Sequence, residues 1–114
     1  MSEHETQNAI MRYLATCDLV FWRQNTGVAT FHGRTVRFGV PGQADISGIM
    51  PDGKRLEIEV KTAKGRQSTA QKNYAAMIAR NNGVYILARS AGDVFAGLEY
   101  RGYGVPKPEA VSRD

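Results

Sequence analysis

The stretch Ala44-Asp45-Ile46-Ser47-Gly48-Ile49-Met50-Pro51-Asp52-Gly53-Lys54-Arg55-Leu56-Glu57-Ile58-Glu59-Val60-Lys61 decides how this chain is read. Proline suits the first central position of a type I turn, aspartate the second, and glycine a following left-handed residue. Pro51-Asp52-Gly53 is therefore read as a three-residue hairpin loop closed by Met50 and Lys54, joining strands 44–50 and 54–61. A loop of that length sets Asp45 opposite Glu59, Ser47 opposite Glu57 and Gln43 opposite Lys61 on one face. The other face carries Ile46 opposite Ile58 and Ala44 opposite Val60. A two-residue Asp52-Gly53 turn would instead slip the pairing by one and send Asp45 and Glu59 to opposite faces.

Two carboxylates directly across an antiparallel pair have Cβ atoms about 5 Å apart and repel unless something positive lies between them. A divalent cation fits, because hard ions such as Mg²⁺ take one or two carboxylates together with water and phosphate oxygens. Strand side chains alternate, so Lys61 shares the face of Glu59 and can polarise a water or offset charge building on a phosphate. By itself, 57–61 is the pattern of an amphipathic strand with a solvated charged face. Asp45, predicted across from Glu59 and flanked by Gly42 and Gly48, turns the reading toward a site for phosphodiester hydrolysis. Neither His4 nor His32 has an evident nucleophile and acid beside it.

Outward from this hairpin, Ile10, Met11, Leu14 and Cys17 recur at helical spacing, predicting a helix over 4–16 with Ser2 as its cap. A strand over 19–24 follows, then a basic hairpin of strands 28–31 and 35–38 around His32-Gly33-Arg34. Downstream, a basic loop over 62–67 leads to Ser68 or Thr69 as N-cap of a helix through about Asn81, which Asn81-Asn82-Gly83 stops. A buried strand over 84–88 and a short helix over 92–98 complete the pattern. The order αβββββαβα predicts an α/β or α+β domain with a mixed central sheet flanked by helices, one domain over 1–101 with an irregular tail over 102–114. Trp22, Tyr74 and Tyr85 read as core aromatics, and Cys17 as a packing residue.

The 114 residues bound the answer at one modest core. At 42% hydrophobic and 23% charged the composition is that of a globular domain, and no apolar run nears the roughly 20 residues that span a bilayer. The acidic, polar start is unlike a secretory signal, so a cytoplasmic setting is expected. One cysteine and two histidines offer neither a disulfide nor structural zinc spacing. The net charge of +4 tilts toward a polyanionic partner. Arg34, Arg37, Lys64, Arg66 and Lys72 are the candidate phosphate contacts, though any one of them alone reads as a solvated surface charge before it reads as a contact.

Residues 36–94 resemble the VRR-NUC (virus-type replication-repair nuclease) domain of the PD-(D/E)xK superfamily. The likeness rests on Gly42-Gln43-Ala44-Asp45, Glu59-Val60-Lys61, Gly65-Arg66 and Gln71, with Trp22-Arg23-Gln24-Asn25 and Gly27 upstream. The sequence departs from the family at Ala44, where proline is usual, and Pro51-Asp52 falls in the turn outside the signature. The resemblance implies a restriction-endonuclease-like core with Asp45, Glu59 and the Val60 carbonyl holding Mg²⁺ or Mn²⁺, Lys61 catalytic, and Gln71 orienting the water or Lys61. It also implies a carboxylate from the first helix, for which Glu3 qualifies by sharing a stripe with Ile10 and Leu14. Stand-alone members imply a homodimer acting on branched DNA such as four-way junctions, in a bacterial or phage-infected cell. The alternatives are a nucleic-acid-binding module without catalysis and a sequence-reading restriction-type enzyme, for which there is little extra chain.

Overall fold

The computed structural model describes residues 1–24 and 27–109, with the side chains of 27–29, 37 and 38 outside that description. Its elements run α1 (Glu3–Leu14), β1 (Val20–Arg23), β2 (Gly27–Phe31), β3 (Arg34–Phe38), β4 (Ile46–Ile49), β5 (Arg55–Val60), α2 (Thr69–Arg80), β6 (Val84–Ala88) and α3 (Ala91–Tyr100). The expected order of elements is present, and so is the mixed sheet flanked by helices. That sheet is ordered β1-β4-β5-β6, antiparallel except for the parallel β5–β6 pair that α2 connects.

The β4–β5 turn has the geometry its sequence dictates. The Met50 N–H donates to the Lys54 carbonyl and the Gly53 N–H to the Met50 carbonyl, both at 2.8 Å, with Gly53 at φ +89°. The loop therefore holds three residues, and the register follows: Ile46 pairs with Ile58, Ser47 with Glu57, Gly48 with Leu56 and Ile49 with Arg55. Local chemistry also sets the helix ends. Ser2 with Glu5 and Ser68 with Gln71 each form a reciprocal capping box, which satisfies orphan N–H groups of α1 and α2. At the far end of α2 the left-handed residue is Asn82 (φ +63°). Gly83 follows in a space with no room for a side chain, where a Cβ would sit 2.6 Å from Ile78 Cγ2.

Two apolar clusters form, one on each face of the sheet. Ile10 and Leu14 of α1 and Val94 and Leu98 of α3 pack on Ile46, Leu56, Ile58, Val60 and Ile86. On the opposite face Tyr74 and Ile78 of α2 pack with Ala44, Met77 and Tyr85. Strand β5 is thereby buried on both faces, which overturns the solvated charged face that its alternation suggests: Glu57 is 0% and Glu59 2% exposed. The physical reason is the crossover, since a parallel β5–β6 pair needs a connection that lays α2 over the sheet. Ala44 is a second correction, because it packs against α2 instead of joining Val60 on the α1–α3 face.

Strands β2 and β3 form a separate two-stranded sheet. His32 (φ +50°) and Gly33 (φ +76°) make its turn, two left-handed residues in succession as a type I′ hairpin requires. The segment after α3 has no regular structure through Glu109 yet is tied down: the Tyr13 hydroxyl donates to the Pro106 carbonyl (2.7 Å) and the Tyr103 hydroxyl to Asp52 Oδ2 (2.8 Å). Among the described residues no helix is long and apolar enough to cross a membrane.

Candidate active site

Asp45 stands where the β4–β5 ladder ends. Its N–H donates to the Ile58 carbonyl at 3.1 Å, so Asp45 and Ile46 both face Ile58 in the manner of a β-bulge. The bulge moves Asp45 off the regular position across from Glu59 and explains why Ala44 reaches α2. It also re-aims the carboxylate, whose Oδ2 accepts the Val60 N–H at 2.7 Å. On its other side the Asp45 carbonyl accepts the Gln24 N–H at 2.8 Å, which joins the end of β1 to the same point. In an extended strand the N–H and C=O of one residue point the same way, so the Val60 carbonyl opens toward the edge that Asp45 occupies.

Glu59 is the buried member of the pair. Burial raises its pKa most, the Asp45 carboxyl raises it further by hydrogen bonding and by charge, and Glu3 adds a smaller repulsion. Lys61 opposes these, and the balance leaves the group pushed up to about 8 from an ordinary 4.5. The Lys61 ammonium lies 4.0 Å from Glu59 Oε2, with its side chain only 16% exposed. Glu59 Oε1 is buried and has no hydrogen-bond partner among the described residues. An unpartnered buried carboxylate oxygen is costly and calls for a positive ligand.

These groups fit a divalent cation. Two carboxyls close enough to perturb one another, one oxygen without a partner and a carbonyl facing the same edge are oxygen donors of the kind Mg²⁺ and Mn²⁺ take. Among the described residues no three His, Cys, Asp or Glu side chains gather into a cage of their own. Water and substrate oxygens would complete the coordination, as is usual for Mg²⁺.

Glu57, two residues before Glu59, has a different environment although it shares the face. Its Oε2 accepts from the Ser47 hydroxyl (2.6 Å), and its Oε1 from the Tyr74 hydroxyl (2.6 Å) and Arg55 Nε (3.0 Å). The Arg55 guanidinium in turn lies 5.2 Å from the centre of the Trp22 ring. Every oxygen of Glu57 is used, so it ties β4, β5 and α2 together and has none left over for a ligand. The contrast singles out Glu59.

The remaining candidates lie around the pair at different distances from it. Glu3 opens α1, is exposed, and is near enough to influence Glu59. The side-chain oxygen of Gln71 accepts the Ser68 N–H at 2.8 Å in the capping box, so only its amide NH₂ is free to orient a water. Lys64 and Arg66 are exposed in the loop after β5, and Lys72 is exposed in the first turn of α2. Arg34 starts β3 in the separate hairpin, exposed, while the Arg37 side chain lies outside the described residues.

Two residues near the site are absent from the sequence-derived candidates: Tyr85, read there as a core aromatic, and Arg89. The Tyr85 hydroxyl accepts from Gln67 Nε2 at 3.0 Å. Burial raises the pKa of this phenol most, the Gln67 bond lowers it, and the charges of Glu59 and Asp45 raise it again. Arg89 reaches the Gly65 carbonyl with Nη2 at 2.9 Å. The available signal was position: Tyr85 lies on the parallel strand β6 and Arg89 directly follows its carboxyl end, where open α/β sheets place their ligands. Comparison with protein-family models and with curated proteins finds no match to this chain.

Proposed function

We propose that this protein is a divalent-metal-dependent endodeoxyribonuclease of the VRR-NUC kind, hydrolysing phosphodiester bonds in branched DNA such as four-way junctions. The observation that carries the reading is the unpartnered, buried Glu59 Oε1 beside Asp45 and Lys61. Asp45, held by the Val60 N–H, and Glu59, fixed by burial, are the metal ligands, with the Val60 carbonyl as a third donor. When bound, Mg²⁺ or Mn²⁺ lowers the pKa of a water and neutralises phosphate oxygens. Lys61 faces the same space, where its ammonium holds the attacking water or offsets charge on the phosphate. Lys64, Arg66 and Lys72 supply cations on the segment that follows β5, with Arg34 on the β2–β3 hairpin a further candidate, suited to a backbone that carries charge without sequence. A homodimer suits a four-way junction, because two symmetric strands need two symmetry-related sites.

The test is cleavage of linear, flapped and four-way DNA with and without Mg²⁺ or Mn²⁺. Metal-dependent nicking that favours branched substrates and is lost in Lys61→Ala is expected. Binding without metal-dependent cleavage would replace this reading with that of a nucleic-acid-binding module, and equal cutting of all substrates would remove the structure selectivity.

A further inference from the structure

We propose that Arg89 is a positioning residue that holds the turn over residues 62–65 closed on the stem of Lys61. The inference rests on the nuclease reading above and deepens it, since it concerns how the proposed catalytic ammonium is aimed. Lysine carries four rotatable methylene groups, and an ammonium that must meet one oxygen gains from any contact that limits them.

The backbone of Lys61 is fixed by its N–H, which donates to the Ala88 carbonyl at 3.0 Å. The side chain needs a separate restraint, and the following turn provides it. The Gly65 N–H donates to the Thr62 carbonyl at 3.0 Å, folding residues 62–65 back over the stem. The approach is close: a Cβ placed on Gly65 would lie 3.3 Å from Lys61 Cδ and 3.4 Å from Lys61 Cβ. Among the described residues the hydrogen bond that ties this turn to the body of the domain comes from the Arg89 guanidinium, which donates from Nη2 to the Gly65 carbonyl at 2.9 Å.

Arg89 is itself well anchored. It follows β6 directly, one residue beyond the Ala88 that holds Lys61, and its N–H donates to Asp93 Oδ2 in the first turn of α3 at 2.8 Å. The end of β6 thus restrains Lys61 by two routes, directly through the main chain at Ala88 and, by way of the Gly65 turn, through the guanidinium of Arg89 just beyond it. The Arg89–Gly65 bond is exposed, so its removal leaves the fold standing and changes the freedom of the turn.

The test compares wild type, Arg89→Ala and Arg89→Lys on a four-way DNA junction with Mn²⁺, together with amide exchange at Gly65 in the metal-free proteins. In Arg89→Ala we expect an unchanged unfolding temperature, faster exchange at Gly65, and a cleavage rate at saturating DNA reduced about tenfold or more with KM within about twofold. Arg89→Lys, which keeps a cationic donor on a less rigid stem, is expected to recover part of that rate. Unchanged exchange at Gly65 overturns the proposal, and so does a raised KM with an unaltered saturating rate, which would make Arg89 a DNA contact. A wild-type protein that cuts nothing removes the nuclease reading instead, and the exchange at Gly65 then decides the latch by itself.

Discussion

Replacing Glu59 with glutamine in the metal-free protein is expected to raise stability at pH 8 and leave it unchanged near pH 4. The folded chain keeps the Glu59 proton to about pH 8, whereas the unfolded chain releases it near 4.5. Between those values the folded state binds more protons than the unfolded one, so stability falls as pH rises through the window. One pKa unit corresponds to about 1.36 kcal/mol, which bounds the loss at about 5 kcal/mol by pH 8. Glutamine keeps the shape and has no charge to bury, so the variant lacks this dependence while titrations remote from the Asp45–Glu59 pair cancel in the difference. Urea unfolding followed by circular dichroism at half-unit pH steps gives the comparison, and a few kcal/mol displaces the midpoint by about 1 M or more. Adding Mn²⁺ at pH 8 should narrow the gap, because an ion that binds only the folded wild-type site stabilises by about 2.7 kcal/mol at a hundred times its Kd. Wild-type and variant curves that run parallel from pH 4 to 8, with and without Mn²⁺, would refute both the buried charge and the cation site.

Tyr74→Phe removes the hydroxyl that donates to Glu57 Oε1 and should cost about 1–3 kcal/mol in chemical denaturation, since it breaks a buried hydrogen bond that joins α2 to β5. Gly42→Ala should be worse than its size suggests. Gly42 stands at φ +77°, and a Cβ there would lie 2.2 Å from the Ala70 carbonyl oxygen, so the loop before Asp45 must lift from α2; a fall in both thermal stability and metal-dependent cleavage is expected. Ile58→Ala opens a cavity at a fully buried position between α1, α3 and the sheet, and a loss of about 2–5 kcal/mol by urea titration would match the packing described.

Features whose causes lie within a few residues are legible in the chain before it folds. Pro51-Asp52-Gly53 fixes a loop length, and a loop length fixes which residues face one another along β4 and β5. Ser2 with Glu5, Ser68 with Gln71, and Asn82 before Gly83 mark helix ends for the same reason, because each bond spans three to five residues. Element order is legible too, since periodicity is local. The remaining features depend on how distant segments meet. That Glu57 and Glu59 are buried follows from the return of α2 across the sheet, and nothing in the alternation of β5 distinguishes a face under a helix from a face in water. The bulge at Asp45 arises where β1, β4 and β5 meet, so its effect on the carboxylate and on Ala44 is a property of three strands together. Arg89 meets Gly65 only because β6 lies parallel beside β5, a neighbour relation that no local signal encodes. Pairing of near residues is set by backbone stereochemistry, whereas burial and the approach of distant charges depend on which surfaces the whole chain must cover.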